Sequence, residues 1–463
     1  MLKLWHERLD KEKVKNSEIA ACLNVVSGIS QEESVDEETD AGFVPSLKKN
    51  ESIDDVKISP DLTEMERGQL ESLLQEYTDI FSDVPKVTDI IEHKVVTKTD
   101  EPVYKRPYPL PYALREKVKC EIDEMIKAGI VEPSNSPYAA PIVLIKKKDG
   151  TLRFCVDFRD LNKISLFDPI FMPRMEEVLN KVSKAKFISK LDLTKGYWQI
   201  PLEKESREKS AFVTPFGQYQ FTVTPFGMMN SGATFVRMMK KVLSGYEDFA
   251  DSFIDDIGIF SDSWVFHIEH LRAVFDVLRQ AKLVARPSKC SFGFRELEFL
   301  GHIAGSGQIK PVQDKVSAIK NFAVPVTKKH VRSFLGLVGF YRKFIPKFSD
   351  ISVALTDLTK KNAPNKVKWT EQAQIAFDKL KSALCSNTVL RSPDFSRKFI
   401  LQTDASGTGL GAVLEQEFED GRHPVTFISK KLNSAERNYA VVEKECYAII
   451  WAVKTLRIYL EGR

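Results

Sequence analysis

The sequence is poor in cysteine, and none of its cysteines are paired as C-x-x-C. The six cysteines lie at positions 22, 120, 155, 290, 385 and 446. This scatter excludes zinc fingers and zinc knuckles and is typical of a reduced, intracellular protein. The longest apolar run, Cys446 to Val453, has eight residues, whereas a membrane helix needs about 20. The N-terminus, MLKLWHERLD, has no apolar signal core. We therefore expect neither membrane insertion nor secretion.

Basic residues are scarce in the first 90 positions and predominate afterwards. Residues 1–90 contain 10 Lys and Arg against 21 Asp and Glu, a net charge of −11. Because the whole chain carries +4, the remainder carries +15. Such a basic body is compatible with nucleic acid as a partner, although many soluble proteins are mildly basic. Residues 31–40, QEESVDEETD, hold six acids, so we interpret residues 1–60 as an acidic, disordered linker.

Hydrophobic periodicity predicts an α+β protein in which helices are segregated from antiparallel strands. Asp61 is a candidate N-cap for a helix that buries Leu70, Leu73, Leu74 and Tyr77, and Gly129 closes a second helix. Strand patterns occur at 140–158, 187–193, 217–227, 251–261 and 298–305, and again after about residue 395. Helical patterns occur at 232–243, 267–283, 311–361 and 434–460.

Three acids stand among apolar strand residues. Asp255 and Asp256 form a turn inside DSFIDDIGIF, and Asp192 ends a second strand between two leucines. Carboxylates in apolar strands are costly unless something compensates them. If the three acids meet on one sheet, a divalent cation can relieve their repulsion, and two such ions can assist phosphoryl transfer. An unrelated Asp-Asp turn and a strand-end Asp remain the alternative.

Five motifs then follow in an order found in a known enzyme family. They are IKKKDGTLRFCVDFRDLNK (145–163), SKLDLTKGYWQI (189–200), TPFGMMNSGATF (224–235), FIDD (253–256), and the pair KPVQDKVSAIKNF (310–322) and VRSFLGLVGFYRKFI (331–345). From about residue 60 onwards the chain resembles the reverse transcriptase and RNase H region of gypsy-like LTR retrotransposon Pol polyproteins. FIDD resembles the family's Tyr-x-Asp-Asp box, with Phe253 in place of tyrosine, a variant that many gypsy-like elements use.

The resemblance implies a right-hand polymerase of fingers, palm and thumb, followed by an RNase H-like α/β domain. It implies that Asp192 and Asp255 bind two Mg²⁺ ions, which Mn²⁺ can replace, and that Asp256 supports them. The reaction would be RNA-directed addition of dNTPs to a primer 3′-OH on an RNA or DNA template.

The resemblance also assigns substrate contacts. The dNTP-binding residues it implies are Lys147, Arg153, Tyr197, Phe226, Gly227 and Lys289. Ammonium and guanidinium groups suit phosphate oxygens; Tyr197 would exclude a ribose 2′-OH, and Lys289 would protonate pyrophosphate. The primer grip it implies comprises Phe299, Leu300, Gly301 and His302. From the residues alone, Lys147 fits a solvated turn, Tyr197 a core aromatic and Gly227 a turn glycine equally well.

A second acid site lies near the C-terminus. Asp404 ends a strand, and Glu445 shares a helical face with Ala448, Ile449 and Ala452; a Glu in a surface salt bridge is the alternative. The resemblance matches Asp404 and Glu445 to the first two metal ligands of the RNase H domain. The family continues beyond YLEGR, so we expect an incomplete, inactive RNase H-like domain on a polyprotein fragment or truncated copy. The sequence also lacks an Asp-Thr-Gly or Asp-Ser-Gly triplet and a zinc-binding head, so protease and integrase segments would lie elsewhere on the polyprotein.

The domain boundaries that we expect follow from these motifs. They are a linker (1–60), an N-terminal extension with the start of the fingers (61–139), fingers and palm (140–305), thumb and connection (306–390) and the RNase H-like domain (391–463). Two rival interpretations remain: a catalytically silent remnant that binds nucleic acid, and a host structural protein built on the same fold. If the element is active, we expect a cytoplasmic location in a virus-like particle.

Overall fold

The computed structural model describes residues 42–44, 51–146, 152–386 and 388–462. The chain divides into two units. The first runs to Val178 and resumes at Lys186–Arg295, and the second comprises Leu179–Ala185 and Glu296–Arg463. The strand at Glu296–Phe299 joins a sheet of the second unit, and the boundary expected at residue 305 stays a prediction. Among the described residues, no helix is both long enough and apolar enough to cross a membrane.

The first unit contains two sheets. Its strands are β1 (Gly42–Val44), β2 (Lys57–Ile58), β3 (Val131–Pro133), β4 (Ala140–Lys146), β5 (Leu152–Val156), β6 (Phe187–Asp192), β7 (Phe212–Thr214), β8 (Gly217–Phe221), β9 (Ala250–Phe253), β10 (Asp256–Ser261) and β11 (Ser291–Phe294). We call the six-stranded sheet, of order β1-β5-β4-β7-β8-β3, the fingers sheet. We call the five-stranded sheet, of order β2-β11-β6-β10-β9, the palm sheet.

Helices cover these sheets. They are α1 (Glu64–Glu76), α2 (Tyr112–Lys127), α3 (Arg159–Ile164), α4 (Met175–Lys184, which crosses into the second unit), α5 (Ser231–Val242) and α6 (Trp264–Gln280). The Phe275 ring of α6 packs edge-to-face against two rings, with its centroid 5.6 Å from that of Phe81 and 5.9 Å from that of Phe292. Aromatic rings at this spacing stabilise a core beyond their buried area, so the residues after α1 are part of the palm core.

The second unit contains a four-stranded and a three-stranded sheet. The first is built from β12 (Glu296–Phe299), β13 (His302–Gly305), β14 (Gln308–Pro311) and β15 (Leu390–Arg391). The helices that follow β14 are α7 (Gln313–Lys320), α8 (Lys328–Phe340), α9 (Phe348–Ile351), α10 (Val353–Asp357) and α11 (Glu371–Cys385). The antiparallel C-terminal sheet comprises β16 (Phe399–Ala405), β17 (Gly409–Phe418) and β18 (Gly421–Lys431), followed by α12 (Val441–Thr455) and α13 (Arg457–Leu460).

The predicted strands around the three acids are confirmed, and so is the α+β class, but two strand pairs are parallel rather than antiparallel. These are β4 with β7 and β2 with β11. Strands β4 and β5 pair antiparallel, as predicted, and the turn predicted between them at Asp149 and Gly150 lies outside the described residues.

Two helix predictions need correction, and one helix was not predicted. The N-cap of α1 is Thr63, not Asp61, because Thr63 and Glu66 form a reciprocal capping box. The last long helix begins at Val441 rather than 434, because Asn433 and Glu436 bond each other's backbone amides at 2.9 Å and form a separate turn. Helix α11 was not predicted, although it buries residues at helical spacing.

Part of the predicted linker is ordered. Residues 51–60 pack on the palm sheet, where β2 pairs with β11. The acids Asp54 and Asp55 serve a local cap, since Ser52 and Asp55 form a capping box around a 3₁₀ turn. The strongly acidic stretch at residues 31–40 lies outside the described residues.

A buried histidine ties the middle of the palm sheet together. His267 of α6 is fully buried, and its ring nitrogens lie 2.8 Å from the Ser189 hydroxyl and 2.9 Å from the Ser261 hydroxyl. Ser261 also contacts the His270 ring at 2.8 Å. Burial, together with the nearby His270, lowers the pKa of His267 to about 3. The imidazole is therefore a neutral hydrogen-bonding bridge between β6 and β10.

We expect the stabilising effect of His267 to depend on pH. Its folded-state pKa of about 3 lies below the ordinary 6.5, so its contribution is fully present above pH 6.5 and is lost as pH falls towards 3. Between pH 6.5 and pH 5 the loss is about 2 kcal/mol, at about 1.4 kcal/mol per pH unit. Urea unfolding should therefore show that His267→Gln costs about 2 kcal/mol more at pH 7.5 than at pH 5. An equal cost at both pH values would contradict this.

Candidate active site

The three predicted acids meet at one end of the palm sheet. Strand β6 ends at Asp192 and β10 begins at Asp256, and the register places these two residues directly opposite each other. Asp255 precedes β10 in the two-residue loop between β9 and β10. The amide of Leu193, which follows Asp192, donates to the Asp255 carbonyl oxygen at 3.2 Å. Strands β6 and β10, with the loop before β10, therefore bring the three carboxylates together at one end of the palm sheet.

The loop that carries Asp255 is conformationally strained. Ile254 has a φ of +55°, which is a rare conformation for a β-branched residue. Its side chain and that of Phe253 are buried, and this packing offsets the backbone cost. Strain of this kind is concentrated at functional sites, where surrounding structure maintains it.

The negative charges are only partly compensated. Burial, together with Asp192 and Asp256, raises the pKa of Asp255 to about 7. Burial also raises the pKa of Asp192, while Lys289 acts in the opposite direction. Lys289 Nζ lies 3.1 Å from Asp192 Oδ2, and Lys190 Nζ lies 3.0 Å from Asp256 Oδ1. Lys190 was not predicted from sequence, because only the strand register shows that it faces Asp256.

The donor set suits a hard divalent cation. Carboxylate oxygens are the preferred ligands of Mg²⁺, and like-charged acids that raise each other's pKa gain from a bound cation. Within the described residues, no group of three His, Cys, Asp or Glu side chains is placed to hold a metal ion as it stands. Two of the acids instead contact lysines. The carboxylates thus fit a divalent cation by their chemistry, whereas their present arrangement, with two acids paired to lysines, does not form a complete set of ligands.

Next to the acids lies an aromatic cluster that contains two of the predicted dNTP residues. The Tyr197 ring is edge-on to Phe226 at 5.0 Å and to Phe235 at 5.5 Å between centroids. Burial and the nearby Asp255 raise the pKa of Tyr197. A Cβ on Gly196 would lie 2.7 Å from Phe235 and 3.6 Å from Asp255. Only glycine therefore allows the turn with Tyr197 to approach α5 and the acids so closely.

The turn after Phe226 is fixed by Asn162, whose role no sequence motif indicates. Gly227 has a φ of +81°, which favours glycine. Asn162 donates to the Gly227 carbonyl at 2.9 Å and accepts from the Met229 amide at 2.8 Å. The pair of long-range bonds has no local sequence signal.

Arg153 lies in β5 opposite Ile145, and Lys147 lies outside the described residues.

The predicted primer-grip residues form a hairpin turn in the second unit. Leu300 and Gly301 have φ values of +48° and +70° between β12 and β13. Tyr341 donates its hydroxyl proton to the Gly301 carbonyl at 2.8 Å. The side chains of Phe299, Leu300 and His302 are buried, so their packing within this unit stabilises the turn.

The second acid site is less developed. Asp404 of β16 is half exposed and lies 2.7 Å from Lys347 Nζ. Glu445 lies on α12, which packs against the sheet through Ala448 and Ala452, both fully buried. Ile449, predicted on the same buried face, is 51% exposed.

Two family models match the chain. The reverse transcriptase (RNA-dependent DNA polymerase) family matches residues 145–304, and the RNase H-like domain found in reverse transcriptase matches residues 369–463. The first range contains the three palm acids and the aromatic cluster. The second contains Asp404 and Glu445.

The chain is also similar to retrotransposon polyproteins. It is 39% identical over 411 residues to the retrovirus-related Pol polyprotein from transposon 297 of Drosophila melanogaster, which covers 87% of this chain and 38% of the relative. It is 37% identical over 383 residues to the Pol polyprotein from transposon gypsy of the same organism, covering 79% of this chain and 37% of the relative. Identity to the transposon Tf2-3 polyprotein of Schizosaccharomyces pombe is 34%, over 85% of this chain and 30% of the relative. The chain thus spans between 30% and 38% of the length of these relatives.

Solved structures of foamy viral protease-reverse transcriptase share the fold. One, in complex with double-stranded DNA, has a TM-score of 0.79 and 25% identity, covering 88% of this chain and 72% of that chain. Another, in complex with an RNA/DNA hybrid, has a TM-score of 0.79 and 23% identity, covering 91% of this chain and 58% of that chain. The predicted right-hand polymerase architecture followed by an RNase H-like domain is confirmed. The chain belongs to the reverse transcriptase and RNase H region of the gypsy-like retrotransposon Pol polyproteins.

Proposed function

We propose that the chain is an RNA-directed DNA polymerase that extends a primer on an RNA or DNA template. The observation that carries this proposal is the convergence of Asp192, Asp255 and Asp256 at the end of the palm sheet. In the reaction, the primer 3′-oxygen forms a bond to the α-phosphorus of a dNTP and the hydroxyl loses its proton. The bond from the α-phosphorus to the bridging oxygen breaks, and pyrophosphate leaves.

Reverse transcriptases in general depend on divalent metal ions, and we propose two Mg²⁺ ions here, with Mn²⁺ as a substitute. When bound, such ions favour the ionised 3′-oxygen and neutralise charge on the phosphates. Asp192 and Asp255 would hold them and Asp256 would support the pair. The pKa of Asp255, which burial and the neighbouring acids raise, supports this assignment, because a bound cation would favour the ionised carboxylate against both effects.

The residues around the acids would bind and orient the nucleotide. Tyr197 and Phe226, in edge-on contact, would form the wall against the sugar, with Gly227 on the template side. Lys147 and Arg153 would contact the triphosphate. Lys289, next to Asp192, would protonate the leaving pyrophosphate or stabilise its negative charge. The turn of Phe299, Leu300, Gly301 and His302 would support the primer end.

Primer extension tests this function directly. The purified chain should incorporate dTTP on poly(rA)/oligo(dT) in the presence of Mg²⁺ or Mn²⁺. A catalytically silent remnant would bind the template-primer without extending it. A host structural protein would bind another protein in preference to template-primer.

We also propose that protease and integrase segments accompany this region on a polyprotein.

For the RNase H-like domain we expect no specific cleavage of the RNA strand of an RNA–DNA hybrid by this chain. Asp404 and Glu445 supply two carboxylates, and with so few ligands a divalent cation is held weakly and out of position. The check is a labelled hybrid incubated with the chain and Mn²⁺. RNA cleavage that disappears in Glu445→Gln would show that Asp404 and Glu445 suffice and would refute this expectation.

A further inference from the structure

Glu51 is a buried carboxylate that lies 94 residues before the part of the chain matched by the reverse transcriptase family. Only 6% of its side chain is exposed. Its Oε1 accepts hydrogen bonds from Arg286 Nε at 2.9 Å and Arg286 Nη2 at 2.7 Å. Its Oε2 accepts from the backbone amide of Ser288 at 3.1 Å. Both oxygens are therefore used on one short stretch of chain.

The carboxylate is ionised. Burial alone would raise its pKa, but the hydrogen bonds from Arg286 and Ser288 hold the pKa of Glu51 at about 2. A forked guanidinium against one carboxylate is a geometrically specific interaction. Glutamine at this position would keep the volume but lose the charge that Arg286 pairs with.

The stretch that Glu51 binds is joined to a palm acid. Residues Pro287–Lys289 form a 3₁₀ turn, and the Arg286 amide donates to the Asp192 carbonyl at 2.8 Å. Lys289, the last residue of the turn, places Nζ 3.1 Å from Asp192 Oδ2. Glu51 therefore binds one side of the turn through Arg286 and Ser288. On the other side, Asp192 accepts hydrogen bonds from the Arg286 amide and from the Lys289 ammonium group.

The backbone around Glu51 is itself anchored to the same stretch. The Lys57 amide donates to the Cys290 carbonyl at 3.0 Å, and the Ser59 amide donates to the Phe292 carbonyl at 3.0 Å. The segment of residues 51–59 therefore runs along the turn and along β11. These backbone hydrogen bonds hold the segment, and Glu51 with it, beside the turn.

We propose that Glu51 is a positioning residue of the polymerase site, which fixes the 286–289 turn and thereby presents Lys289 to Asp192 and to the leaving pyrophosphate. This inference rests on the proposed polymerase function. Glu51 touches neither the palm acids nor, in the proposed reaction, the nucleotide. Its effect is therefore exerted through Lys289, which makes the two residues interdependent.

A double-mutant cycle tests this interdependence. In steady-state dTTP incorporation on poly(rA)/oligo(dT), Glu51→Gln should lower kcat about tenfold, because catalytic groups tolerate little displacement. The KM for dTTP and the Kd for template-primer should change little. In the Lys289→Ala background, Glu51→Gln should cause no further loss. Arg286→Lys, which keeps the charge but not the fork, should reproduce the loss and provides a second variant if Glu51→Gln folds poorly.

Glu76→Gln is the matched control. It removes another Glu–Arg pair of the same unit, in which Arg272 Nη1 lies 2.6 Å from Glu76 Oε1, and it should leave kcat unchanged. An unaltered kcat in Glu51→Gln and Arg286→Lys would overturn the proposal. The proposal would also be overturned if the fold-decrease in kcat of the double variant equalled the product of the two single-variant decreases. Glu51 would then act independently of Lys289, through folding alone. Failure of the unmodified chain to extend primer would instead overturn the polymerase function itself.

Discussion

Replacing Asp192 or Asp255 by asparagine should abolish primer extension while template-primer affinity stays nearly unchanged. The variants keep the side-chain shape but lose the negative charge that a divalent cation needs. We expect kcat to fall by at least about a thousandfold, which corresponds to about 4 kcal/mol of lost transition-state stabilisation. Binding should persist, because duplex affinity comes from dispersed basic residues rather than from these acids. Extension kinetics and fluorescence anisotropy on the same primer measure the two quantities.

A stability measurement separates loss of function from loss of fold. Asp255 has its pKa raised to about 7 by burial and by the neighbouring acids, so above pH 7 its charge opposes folding. Asp255→Asn should therefore be at least as thermostable as the unmodified chain at pH 8. More than a few per cent of residual extension in both asparagine variants, or unfolding of both, would remove the basis for the metal-site assignment.

Tyr197→Ala should increase the incorporation of ribonucleotides relative to deoxynucleotides by about tenfold or more, equivalent to about 1.4 kcal/mol. The ring is fixed between Phe226 and Phe235, so it cannot easily move away from a 2′-hydroxyl. Removing it opens the space that the extra hydroxyl needs. The measurement is the ratio of kcat/KM for rUTP and dTTP on one template-primer.

Tyr197→Phe is the matched control, since it keeps the ring and loses only the hydroxyl. It should retain the discrimination of the unmodified chain. If Tyr197→Ala leaves the ratio unchanged while lowering the Tm, Tyr197 belongs to the packing around Phe235 and has no role at the sugar.

The palm acids could be predicted because their local context is unusual. Asp192 and Asp255 interrupt strongly apolar strands, and burying such acids without a purpose is costly. What the residues alone could not show is the register that places Asp192 opposite Asp256, or the lysines that contact them. Those contacts join residues that are distant along the chain.

Errors arose where two residue types offered the same local signal. Asp61 and Thr63 are both good N-caps, and the choice of Thr63 is made by its reciprocal bonds with Glu66. Helix α11 was missed although Ala373, Ala376, Phe377, Leu380 and Leu384 follow helical spacing, because the two alanines weaken an apolar pattern.

Glu51 shows a different limit. Its surroundings in sequence are polar and acidic, which favours a solvated linker, yet its side chain is buried against Arg286. The partner lies 235 positions away, so no local pattern could indicate the contact. Positions that act through such long-range bonds are where composition misleads most.

The most direct test of the account is cDNA synthesis on an RNA template of mixed sequence. The unmodified chain, given a DNA primer, four dNTPs and Mg²⁺, should produce DNA whose sequence is the complement of the template. Asp255→Asn, assayed beside it at equal template-primer occupancy, should produce none. Template-primer binding without any extension by the unmodified chain would contradict the account and favour a silent nucleic-acid-binding remnant.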